Sequence, residues 1–159
     1  MKLKERQSFR GTITIRDPKT GVVETFKNKV VFAGLEDIVD KLQGAGNIND
    51  YHYIAFGTDG TTTIDADVAL HTEVAGGAYA RLDATQGEGG NARTYRLSGT
   101  WTNNSGGVQL IAEVGILTAA GAGTLLARSC VDDDGWTAKS IDDAGTLEIV
   151  SWDLALADA

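Results

Sequence analysis

Apolar and polar side chains alternate with a period of two along much of this chain, and that pattern predicts antiparallel strands with one buried face. Ile13 and Ile15 alternate with threonines and Arg16, residues 17–21 (Asp-Pro-Lys-Thr-Gly) carry turn chemistry, and residues 22–26 return, so a hairpin is expected there. Residues 51–56 and 78–83 read as short strands separated by a long polar connection containing Leu70. Residues 86–91 read as a glycine-rich turn. Residues 93–102 place Tyr95, Leu97, Gly99 and Trp101 on one face, and residues 108–117 place Val108, Leu110, Ala112, Val114 and Ile116 on one face. Residues 124–131 and 147–156 complete the set. In the last, Leu147 and Ile149 share one parity while Val150, Trp152, Leu154 and Leu156 share the other. That change of phase predicts a β-bulge near Ile149, or burial on both faces there.

One segment switches to a helical period. Leu35, Ile38, Val39 and Leu42 fall at i, i+3, i+4 and i+7, an apolar stripe that predicts a helix over residues 33–43 packed through that stripe on the sheet. Glu36 and Asp37 suit its start, Lys41 its end, and Gly44 its stop. The whole reads as a mainly β chain: an antiparallel sandwich or barrel of about eight strands with one short helix. Residues 1–10 form a basic arm or first edge strand, and residues 11–159 a single β domain.

With 159 residues and 42% hydrophobic content, one domain can bury a core without disulfides or metals. The single cysteine, Cys130, cannot form an internal disulfide and sits in an expected strand, which reads as a buried, inert thiol. The N-terminal residues lack the apolar stretch of a signal peptide, and no run is long enough for a membrane span. The net charge of −8 argues against nucleic-acid partners. That charge is uneven. Residues 1–43 hold nine basic and six acidic side chains, whereas residues 44–159 hold five and sixteen. Lys2, Lys4, Arg6 and Arg10, with Ser8 and the aromatic Phe9 between the last two, make the arm a candidate contact with an acidic neighbour.

Catalytic patterns do not assemble from these residues. His71-Thr72-Glu73 resembles the start of a zinc-deaminase signature, but the paired cysteines it needs cannot be supplied by one cysteine. No serine elbow or phosphate loop occurs, and the 87–90 glycine cluster is not followed by a helix. No cofactor is expected. Calcium is the alternative for two acidic loops, Asp132-Asp133-Asp134 and the group Asp59, Asp65 and Asp67, although neither follows the calcium-loop spacing. Arg81 invites a register-fixing ion pair with Glu73 or Glu113. Trp101 and Trp152 fall on inward parities, which leaves Trp136 as the tryptophan expected at an exposed contact.

Several segments in order carry a resemblance. Asn28-Lys29-Val30-Val31 runs into the helix. Tyr53-Ile54-Ala55-Phe56-Gly57-Thr58 and a Thr/Asp-rich loop follow, then Leu70, Glu73 and Arg81. Later come Glu113-Val114-Gly115-Ile116-Leu117, Leu125-Leu126-Ala127-Arg128-Ser129 and Trp152-Asp153-Leu154. Over roughly residues 26–156 this order resembles the small β-rich virion proteins of tailed bacteriophages. The resemblance implies a structural role without catalytic residues: capsid decoration (cement), or a tail, baseplate or fibre part. The expected partners are the major capsid protein or other virion proteins, with no nucleic acid and no membrane. Copies are expected to form a homo-oligomer, a trimer being one form. The expected location is the virion, after synthesis in the host cytoplasm. A carbohydrate- or receptor-binding module using Trp136 and the acidic loops is the reading from a different class.

Overall fold

The computed structural model describes residues 8–44, 50–90 and 94–157. Its strands are β1 (Ser8–Arg16), β2 (Val23–Val30), β3 (Tyr53–Gly57), β4 (Leu82–Asp83), β5 (Thr85–Glu88), β6 (Thr94–Thr102), β7 (Gln109–Ile111), β8 (Glu113–Leu117), β9 (Leu125–Cys130), β10 (Lys139–Ile141) and β11 (Thr146–Ala157). Two helices, α1 (Phe32–Leu42) and α2 (Val131–Asp134), accompany them.

Nine strands form one antiparallel sheet in the order β4-β3-β8-β9-β2-β1-β11-β6-β5. Its two edges are almost joined by sequence: β4 pairs with β3, β5 pairs with β6, and only Ala84 separates β4 from β5. The sheet therefore curls into a nearly closed barrel, which leaves little unpaired edge. Ile13, Ile15, Phe26, Ile54, Phe56, Leu97, Val114, Ile116, Leu147, Ile149 and Trp152 fill it. A separate ribbon, β7 with β10, adds Ile111 and Ile141 to the same core.

The hairpin is built on its turn residues. Asp17 accepts the Lys19 N–H at 2.9 Å and the Thr20 hydroxyl at 2.8 Å, and Gly21 takes φ +73°. The expected bulge is present: the β11–β6 register slips between Ile149 and Trp152, and the β1–β11 register slips between Thr14 and Ile15. That slip carries Leu147, Ile149, Trp152 and Leu154 all into buried positions despite their opposite parities. Gly11, opposite Asn28 on β2, leaves room for the Asn28 side chain, whose Oδ1 accepts the Trp152 indole N–H at 2.9 Å.

Four expectations change. The first strand starts at Ser8, inside the segment read as arm or first edge strand, and lies within the sheet between β2 and β11 rather than at an edge. Residues 86–91 are not simply a turn, since Thr85–Glu88 pairs with β6, and of residues 78–83 only Leu82–Asp83 is strand. Residues 108–117 are two strands. The Ala112 N–H bonds to Gly57 and its carbonyl accepts from Val131, so the chain changes partners there and the phase flips. Val108 and Leu110 are therefore exposed rather than inward. Finally, α1 does not bury the Leu35–Leu42 stripe. Gly34 and Ile38 face the barrel, while Val39 and Leu42 face out. Glu36 and Asp37 lie in the second turn, and the first N–H of the helix is satisfied by the Asp65 carbonyl at 2.8 Å.

Candidate functional site

Strands β8 and β9 are buried along their whole length because both faces are covered. One face lines the barrel. The other lies beneath α1 and the connection from β3 to β4. Leu70 of that connection packs with Val31, Ala55, Leu117 and Leu125 in a second apolar cluster. Gly115 makes this possible, since a Cβ there would lie 2.4 Å from Leu70 Cδ1.

Beside Leu70 the same face carries charge. Arg128 and Glu113 are fully buried, and Arg128 Nε donates to Glu113 Oε2 at 2.6 Å. The carboxylate also accepts the backbone N–H groups of His71 at 3.0 Å and Thr72 at 2.7 Å. Gly57 opposite leaves room for it, since a Cβ there would stand 2.4 Å from Glu113 Oε1. Arg128 Nη1 reaches the Thr61 carbonyl at 2.9 Å, Thr63 Oγ1 at 3.2 Å and Asp67 Oδ2 at 3.4 Å. Asp67 in turn accepts the Ile64 N–H and meets His71 Nε2 at 3.0 Å. Asp133 of α2 accepts both the N–H and the hydroxyl of Thr63. Two strands and one short helix thus pin a connection that has little regular structure of its own.

A second ion pair anchors its far end. Arg81 forks onto Glu73 at 2.7 and 2.8 Å and donates to the carbonyls of Ala119 and Ala122 in the β8–β9 turn. Glu73 holds the guanidinium pKa above its ordinary value. Of the two partners expected for Arg81, Glu73 is the one it takes; Glu113 belongs to Arg128. The acidic loop at 132–134 is likewise engaged: Asp133 holds Thr63, and Asp134 accepts the Lys27 N–H at 2.8 Å.

Trp136 is not an exposed contact. It is 5% exposed and stacks on Phe26, with ring centroids 4.6 Å apart. The reason is local: α2 ends in Gly135 with a left-handed backbone, which turns the next residue back onto the barrel. A carbohydrate reading therefore loses its aromatic platform. Lys2, Lys4 and Arg6 lie outside the described residues. Arg10 pairs with Ala155 within β1, and Phe9, opposite Leu156, is partly exposed.

Among the described residues, two open surfaces stand out. One is a groove of about 510 Å³ between the hairpin tip and β10, lined by Asp17, Lys19, Val22, Glu24, Lys139 and Ser140. Lys139 contacts Glu24 there, and burial pulls its pKa below the ordinary value against the opposing charge of Asp17. The other is the outer side of α1, where Phe32, Val39 and Leu42 are exposed, with Ile64 and Val68 exposed on the connection that meets the start of the helix. The helical period places the helix but sends Val39 and Leu42 inward, where the structure leaves both exposed.

Three of the four tyrosines give the fold a pH limit. Burial, reinforced by Asp37 at Tyr51 and by Glu73 at Tyr79, pushes those phenols up, and burial takes Tyr95 to about 12. Burial, with Asp133 adding, also raises the Cys130 thiol. Each group is neutral in the fold, where its pKa is raised. Its stabilising contribution is therefore complete below the unfolded-state pKa and is lost as pH rises through the folded value. Thermal melts are expected to fall progressively above about pH 9–10, the ordinary range for Cys and Tyr. Phenolate absorbance from Tyr51, Tyr79 and Tyr95 should develop with unfolding rather than before it. Ionisation of these three tyrosines near pH 10 in the folded protein would contradict this.

No family model matches the chain, and no curated protein and no solved structure matches it.

Proposed function

We propose that this chain is a non-enzymatic structural protein of a tailed-phage particle, a decoration (cement) protein that binds the head shell and stabilises it. The observation that carries the reading is a division of labour within the molecule. The buried charges Glu113, Arg128 and Asp67 are engaged in holding the chain's own connection onto the barrel. Apolar side chains are instead exposed on the outside of α1 with Ile64 and Val68 beside it, at Val108 and Leu110, and at Phe9, Val22 and Val23. A body of this kind is suited to rigid docking. The ordered motif series from Asn28 to Leu154 that resembles small virion proteins supports the same reading.

The physical role follows from linkage. A protein that binds only the assembled shell lowers the free energy of that state and raises the temperature at which it opens. Heads heated with and without saturating protein should differ in opening temperature, with the gain growing as the logarithm of free protein concentration. Equal opening temperatures would remove the cementing role. A tail, baseplate or fibre part is the alternative within the same class, and would bind tails while leaving heads unchanged.

A further inference from the structure

The outer side of α1 is apolar where a surface helix is ordinarily polar. Phe32, Val39 and Leu42 are 55, 51 and 81% exposed. Phe32 and Val39 are separated by two turns and project alike, with Leu42 one turn further along the flank. Ile64 and Val68 extend the patch past the start of the helix, because the Asp65 carbonyl accepts the Phe32 N–H. The patch has acidic neighbours: Glu36 and Asp40 lie on the outward side of the same helix and are exposed. The inward side is already committed, with Gly34 against the Leu126 backbone and Lys41 held by Asp50 at 2.9 Å.

Two such faces brought directly together would set Glu36 and Asp40 against their equals. A chain segment that pairs apolar with basic residues would remove that repulsion. Residues 1–7, Met-Lys-Leu-Lys-Glu-Arg-Gln, are such a segment: Lys2, Lys4 and Arg6 alternate with Met1 and Leu3. Extended, seven residues reach about 23 Å. An eleven-residue helix is about 16 Å long.

We infer that the outer face of α1, Phe32, Val39 and Leu42 with Glu36 and Asp40, seats residues 1–7 of a second copy of this chain, so that copies associate by exchanging arms. A two-fold pair is the simplest closed form of such an exchange, and a ring of three uses the same contact. The inference deepens the proposed function: it rests on reading the arm as an assembly element, but it requires no capsid. Association without head binding would leave it standing while the decoration role fell, and head binding by a monomer would do the reverse.

Sedimentation equilibrium of the full chain tests it. The full chain is expected to self-associate, more weakly in high salt. Removal of residues 1–7, or Leu42→Asp at the most exposed apolar position of the helix, should weaken association at least tenfold with the melting temperature and circular dichroism unchanged. A charge exchange then identifies the seat. A chain with Glu36→Lys and Asp40→Lys should fail to associate alone, and a chain with Lys2→Glu and Lys4→Glu should also fail alone. Mixed, the two should associate, because each arm now meets a helix of opposite charge on the other copy. A truncated chain that associates as well as the full one overturns the inference. So does a mixture no more associated than its components, which is the result expected if the arm lies on its own copy or elsewhere.

Discussion

Replacing Glu113 by Gln is expected to cost about 3–5 kcal/mol, because it leaves the Arg128 guanidinium charged, fully buried and without its nearest counter-charge. For a chain of this length that is a fall of roughly 10 °C in melting temperature. Arg128→Met should cost a comparable amount, since it strands the carboxylate and frees the carbonyl of Thr61. The double variant Glu113→Leu with Arg128→Met should cost clearly less than the sum, yet remain destabilised. With an ordinary buried pair, apolar replacement of both partners is often neutral. Here Glu113 also accepts the N–H groups of His71 and Thr72, and each N–H left unpaired in a buried place costs about 1–3 kcal/mol. The loss should be local before it is global. Amides of residues 58–74 are expected to exchange faster in the variants while β1 and β11 stay protected. Melting temperatures within 2 °C of the parent for both single variants would show that the network does not hold the connection.

The second large effect has a sign that separates two arguments. Gly34→Ala lies inside a helix, where alanine is ordinarily favoured over glycine by about 1 kcal/mol. Packing argues the opposite. A Cβ at this position would lie 2.6 Å from both the Cα and the carbonyl oxygen of Leu126, and backbone of a central strand cannot step aside as a side-chain end can. Helix and strand must part, at a cost typical of overpacking, about 1–3 kcal/mol beyond the propensity gain. The variant is therefore expected to be destabilised in chemical denaturation, with the Val31 and Leu117 cluster opening first. A more stable variant would mean that α1 rides on the barrel more loosely than this geometry states.

That glycine also explains what the sequence could and could not disclose. The helical period of Leu35, Ile38, Val39 and Leu42 located α1 correctly, because periodicity reports the element. It misassigned the buried face, because a residue without a side chain sets the closest approach, and because Asp37 and Lys41 turn toward Tyr51 and Asp50. The hairpin at residues 17–21 was legible because turn chemistry is local, and the bulge after Ile149 because a change of phase in an alternating strand has few other meanings. Residues 85–88 were not legible as strand: Gln86, Gly87 and Glu88 carry no apolar face, and only the need to close the sheet against β6 recruits them.

The charged network was half visible. Glu113 was read as a possible partner of Arg81, but its partner Arg128 lies on the next strand, opposite Gly115, and strand order is not written in local pattern. The usable signal was the pair of glycines, 57 and 115, beside an acid in otherwise apolar runs. Trp136 misled for a related reason. Three aspartates before it suggested solvent, whereas they form a short helix whose αL end folds the indole onto Phe26.

The central proposal, a structural protein that docks on a phage head, is tested most directly by location. Purified gold-labelled protein would be added to heads without it and to separated tails of the particle whose genome encodes it, and both imaged. Regular labelling over the head surface and none on tails is expected. Labelling confined to tails, or on neither, would contradict it.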